Sequence, residues 1–174
     1  MKNTFLKTIG TAALAILMMA MFAQISVSAQ DIINEQPQEN SVQTAPTSEG
    51  SWNVLVTQRN CTTGVPIRTN PAMVTFMQGG TMMEAASRIA PSLKASGHGV
   101  WSRVSEFHPQ YTSAFQFFRF NADGTYAGRL IVRQQIELNA DGNSFTSSAT
   151  AQILDVNGNV IQNNCSNGVG TRFE

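Results

Sequence analysis

Glu106 and His108 are the two side chains whose types and spacing come closest to a chemical apparatus. Two residues apart on an extended backbone, they point to one face. A carboxylate beside an imidazole can fix its tautomer and support general acid–base transfer. The simpler reading is two solvated residues at a strand end, next to Pro109. His98 is the only other histidine, so a metal site would need it, or a distant carboxylate, as third ligand. Asn121-Ala122-Asp123-Gly124 and Asn139-Ala140-Asp141-Gly142 place oxygen-bearing side chains before a glycine, as calcium loops do. The acidic ligand such a loop requires about five residues later is missing, so both read as turns. Neither Cys61 nor Cys165 has the neighbours of an activated thiolate. No Gly-x-Ser-x-Gly elbow and no glycine-rich phosphate loop occurs. The sequence therefore points to no cofactor and no metal, and Glu106 and His108 are its only catalytic candidates.

These side chains must be positioned by a chain of 174 residues with 11 Lys+Arg and 11 Asp+Glu. Residues 1–29 have the three-part form of a secretory signal peptide. Lys2 and Lys7 supply the charge, 11–23 is an uncharged apolar run, and Val27-Ser28-Ala29 offers a cleavage position. An uncleaved anchor needs roughly 20 apolar residues, whereas this run is shorter and ends in Gln24. Gln30 is therefore expected to begin the mature chain, with no stable membrane anchor and a secreted or periplasmic destination. No cysteine lies near the cleavage position, which argues against a lipid anchor. Without Lys2 and Lys7 the chain is slightly acidic, while a nucleic-acid binder shows a basic excess. Residues 30–49 are polar and lack apolar periodicity, the composition of a disordered spacer. The remainder, 50–174, suffices for one domain. Oligomeric state leaves no trace in the sequence.

Strand patterning dominates that domain. In 126–138, Tyr126, Leu130, Val132, Ile136 and Leu138 share one parity, and Arg129, Arg133, Gln135 and Glu137 share the other. In 144–154, Phe145, Ala149, Ala151 and Ile153 alternate with serines, threonines and Gln152. Asp123-Gly124, Asp141-Gly142 and Asn157-Gly158 separate these long strands as hairpin turns. The strand 111–120 is less regular, because Phe118 and Phe120 face away from Phe115 and Phe117. Earlier strands are expected at 51–58, 72–78, 81–88 and 98–107, with Gly79-Gly80 as a turn. The stretch 81–93 also admits a short helix ending at Pro91. With a last strand carrying Cys165 the count is eight, and the fold expected is an all-β, antiparallel up-and-down barrel.

An even number of strands sets the first and last antiparallel where the barrel closes. Cys61, after the first strand, then meets Cys165 in the last, and the same register brings Trp52 to Arg172. Two thiols in an oxidising compartment most simply form a bridge, free thiols being the alternative. Both sit in sequon-like contexts, Asn60-Cys61-Thr62 and Asn164-Cys165-Ser166, which bear on a eukaryotic pathway only.

Gly50-Ser51-Trp52 on the first strand and Arg172 near the end resemble the lipocalin and wider calycin barrels, in which an arginine packs across the tryptophan of Gly-x-Trp. That resemblance implies a closed barrel with an apolar cavity for a small hydrophobic ligand. The chain departs from the group in lacking a helix after the last strand and a clear middle motif. From the residues themselves, Trp101, Phe115, Phe117, Tyr126 and Phe145 are candidates to line the interior, with Gly128, Ala149 and Ala151 leaving room. The function expected is an exported, non-enzymatic protein that binds a small hydrophobic ligand. The alternatives are a barrel-type isomerase or cyclase using Glu106 and His108, or an interaction module with a filled barrel and an outer patch at Phe118 and Phe120.

Overall fold

A computed structural model describes residues 47–174. The expected signal peptide and residues 30–46 of the expected spacer lie outside the described residues. Eight antiparallel strands follow one another: β1 (Gly50–Arg59), β2 (Pro66–Met77), β3 (Thr81–Ala86), β4 (Gly97–Arg103), β5 (Gln110–Phe120), β6 (Tyr126–Leu138), β7 (Ser144–Leu154) and β8 (Val160–Arg172). Each pairs with its neighbours in sequence, and β8 pairs with β1 to close the barrel.

The seam has the expected register. Trp52 lies opposite Arg172 and Arg59 opposite Cys165. Cys61 and Cys165 are joined by a disulfide with Cα atoms 5.2 Å apart, closing a loop of 104 residues. At the other end of the seam the Arg172 guanidinium lies 4.4 Å over the Trp52 ring. Arg172 also donates to the carbonyls of Gly142, Glu49 and Thr47, at 2.7–3.0 Å. Trp52 Nε1 donates to Ser48 O at 2.9 Å. Thr47–Glu49, the last three residues of the expected spacer, are thus tied to the barrel, and Ser48 is fully buried.

Strand boundaries differ from expectation in three places. β2 begins at Pro66 rather than 72. β3 pairs only with Ala72–Met77, and just beyond that ladder Ser87 N and Oγ donate to the Pro71 carbonyl, so the missing N–H of Pro71 falls past the end of the β2–β3 pairing. The strand expected at 81–88 forms as β3 but ends at Ala86, the helix alternative over 81–93 does not occur, and a one-turn 3-10 helix begins at Pro91. β4 stops at Arg103, where a loop closed by Val104 N donating to Gln110 O replaces the expected continuation to 107.

The three hairpin turns are closed by their own side chains. Asp123 Oδ1 accepts from the Thr125 hydroxyl and amide, Asp141 Oδ1 from Asn143 N, and Asp155 from the amides of Asn157 and Asn159. The Thr125 hydroxyl holds Asp123, and the Asn159 side chain holds Asp155, below the usual carboxylate range. A carboxylate with a lowered folded-state pKa stabilises at pH values above its ordinary range and ceases to do so as pH falls through the lowered value.

The core occupies one end of the barrel. Trp52 meets Phe145 edge-on at 4.9 Å, Phe76 meets Trp101 at 5.7 Å, and Trp101 meets Tyr111 at 5.8 Å. Met82, Ile136 and Leu138 fill the gaps. This end, where β1 starts and Arg172 and Ser48 sit, is the closed end. The β1–β2, β3–β4, β5–β6 and β7–β8 connections ring the other, open end.

Replacing both Cys61 and Cys165 by serine should cost about 4 kcal/mol on chain-entropy grounds. Hydrogen exchange should then show β1 and β8 amides losing protection while β5–β7 amides keep theirs; uniform loss across all strands would contradict a seam-specific staple.

Candidate functional site

Beyond the aromatic core the inward-facing side chains become small. Ala72, Ala86, Ala149, Ala151 and Gly168 leave a cavity of about 130 Å3 in the open half. Phe145 forms its floor, and Phe115, Phe117, Leu130 and Val132 its apolar wall. The connection between β3 and β4 reaches across the mouth. Its Ile89 packs on the cluster of Phe117, Leu130 and Ile153 on the far side.

The same connection delivers a charge into the barrel. Lys94 Nζ donates to both Glu84 carboxylate oxygens, at 3.2 and 3.0 Å, and both side chains are only 6% exposed. Nζ also lies 4.3 Å from the centre of the Phe117 ring, within cation–π range. Gly97 makes space for this pair. A Cβ there would stand 2.8 Å from Glu84 Oε2 and 3.0 Å from the Phe115 ring. Glycine at 97 is therefore a close-approach requirement of β4, not a turn.

The remaining polar groups of the cavity lie on β1, β2, β6, β7 and β8 and on the β3–β4 connection. Gln58 Nε2 and Gln162 Nε2 both donate to Asn164 Oδ1, at 3.2 and 2.8 Å. Asn164 is 7% exposed, and its Nδ2 has no hydrogen-bond partner among the described residues. Arg88 lines the mouth. Burial, and then repulsion from Arg68 and Arg119, hold its guanidinium below the ordinary arginine value.

Of the five aromatic side chains expected inside, Phe115, Phe117 and Phe145 line the cavity. Trp101 instead packs in the closed-end core, its Nε1 donating to Met77 O at 2.9 Å. Tyr126 is the clear correction: it is 43% exposed on the outer face and stacks edge-on with Phe118 at 5.8 Å. The reason is a bulge, for Arg119 pairs with Gly128 but Phe120 with Tyr126, leaving Ala127 unpaired and flipping the strand's parity. Glu106 and His108 are exposed in the β4–β5 loop at the closed end, and neither lines the cavity. Their position removes the basis for acid–base chemistry on anything held in the barrel. His98 faces solvent from β4.

Glu84, Lys94 and Arg88 belong to no motif in the sequence, and Asn164 stands out there only as part of a sequon-like triplet. Two signals pointed to the first pair: Lys94 is the only lysine beyond residue 7, and Glu84 shares strand parity with Met82 and Ala86. A wider groove of about 810 Å3 crosses the outer face of β4–β8, lined by Ser102, Thr112, Arg133, Ser148, Thr150 and Asn167. It is shallow and open to solvent, so it encloses nothing as the interior cavity does.

Breaking the buried pair on one side strands a charge. Glu84→Gln or Lys94→Met should each cost about 3–5 kcal/mol, whereas Glu84→Met combined with Lys94→Met should recover most of the loss. Urea denaturation of the three variants tests this, and small additive costs would show that the pair is not a coupled unit.

No protein-family model matches the sequence, and no curated protein matches it.

Proposed function

We propose that this protein is an exported, non-enzymatic carrier that holds a small, largely apolar ligand in the open half of its barrel. The observation that carries this reading is the unfilled space of about 130 Å3 beside a tightly filled closed half. A cavity of about 150 Å3 takes up benzene, so the enclosed part of the ligand is of single-ring size. Longer ligands must project through the mouth, since pockets for drug-sized molecules are roughly 300–1,000 Å3. The disulfide supports an oxidising destination, in keeping with the signal-like N-terminus. The Trp52–Arg172 stack across the closed end supports kinship with the lipocalin and calycin barrels.

Native mass spectrometry of the purified protein and calorimetric titration with toluene test the proposal. Uptake of one single-ring hydrophobe is expected, and Ala151→Leu, which fills the cavity from β7, should abolish it while leaving the fold intact. An unresponsive barrel, or unchanged uptake by the filled variant, would overturn the assignment.

A further inference from the structure

The open end gathers cations without giving them carboxylate partners. Arg68, Arg88 and Arg119 are close enough that Arg68 and Arg119 repel Arg88. Among the described residues none of the three has a carboxylate within ion-pairing distance; the ion pair present is Lys94 with Glu84. The other acids at this end are Asp123, whose Oδ1 accepts from Thr125, and Asp155, both of whose oxygens accept within its own turn. Arg88 and Arg119 are half-buried and Arg68 is exposed, and like charges held together where some are desolvated are destabilising unless something neutralises them.

A second feature of the cavity points the same way. Asn164 Nδ2 is a buried donor with no acceptor among the described residues, on the β8 wall of the cavity. It joins the mouth through a chain of side chains: Arg68 Nε donates to Gln58 Oε1 at 3.4 Å, and Gln58 Nε2 to Asn164 Oδ1 at 3.2 Å. Orphaned buried donors are rare and call for an explanation. The one carboxylate among the lining residues, Glu84, is already bound by Lys94.

Resting on the carrier reading, we propose that the ligand is a small organic acid, its apolar body in the cavity beside Phe117 and its carboxylate read at the mouth by Arg88. Arg68 and Arg119 add charge, and Asn164 adds one hydrogen bond. A planar carboxylate suits an arginine fork, which donates two parallel bonds to it. The Glu84 carboxylate does not compete for Arg88, because Lys94 already binds both of its oxygens.

The test compares phenylacetate with its neutral isostere phenylacetamide, by calorimetric titration of the disulfide-bonded protein and of Arg88→Gln. The wild-type protein is expected to bind the acid about tenfold or more tightly than the amide. Arg88→Gln should bring the two within about threefold by weakening the acid alone, with amide binding serving as the control for folding. Raised salt should weaken the acid selectively. Equal affinities in the wild-type protein would overturn the acid-head assignment while leaving the carrier reading standing. An acid preference that survives Arg88→Gln would overturn the role of Arg88. Absence of binding by either compound, with toluene also excluded, would remove the carrier reading itself.

Discussion

Closure of β8 on β1 is the constraint on which everything else rests, because an open sheet of these strands would have no interior. The seam is held at both ends by different chemistry. At the closed end Arg172 lies over Trp52 and gathers the carbonyls of Thr47, Glu49 and Gly142, so three separate segments meet on one guanidinium. Near the open end a covalent bond joins Cys61 to Cys165. With the circumference fixed, the distribution of side-chain volume decides where space remains. Trp52, Phe76, Trp101, Tyr111 and Phe145 cluster at the closed end, and above them Phe115 and Phe117 share the inward positions with alanines and Gly168, so the space opens toward the mouth.

Into that space the fold places an ion pair. Burying two charges costs several kcal/mol each before their attraction is counted. The geometry offsets this cost through two hydrogen bonds from one ammonium and a face-on contact with Phe117. Such a pair is weak as a source of net stability and strong as a device of position. It pins the β3–β4 connection over the mouth, which holds Ile89 and Arg88 at the cavity rim. The absence of a Cβ at Gly97 is the local condition for it.

Much of the fold was legible because a barrel writes itself in alternation. The strands 126–138 and 144–154 emerge with their boundaries intact, since turns rich in Asp, Asn and Gly bracket clean period-two runs. The closing register followed from parity alone, through the Cys61–Cys165 and Trp52–Arg172 pairs. What alternation does not encode is a bulge. The unpaired Ala127 reverses parity at Tyr126, and its one local signal is the neighbouring Gly128, whose positive φ of 103° is a conformation that glycine adopts readily at a bulge. Trp101 shows a different gap: parity places a side chain inside without saying whether it joins the core or the cavity. The site was the least legible part. Glu84 and Lys94 are ten residues apart across a strand end and a 3-10 turn, and a pairing set by how a loop folds back leaves no spacing rule to read.

On the proposed reading the ligand enters the open half of the barrel, and not the outer surface or the closed half. Methyl-resolved NMR during titration with toluene locates the bound molecule directly. The largest shifts are expected at the methyls of Leu130, Val132, Ala149 and Ala151, with Ile136 and Leu138 in the closed-end core nearly unmoved. Shifts confined to the outer-face methyls of Val100, Leu55 or Val169, or no shifts at all, would contradict the account.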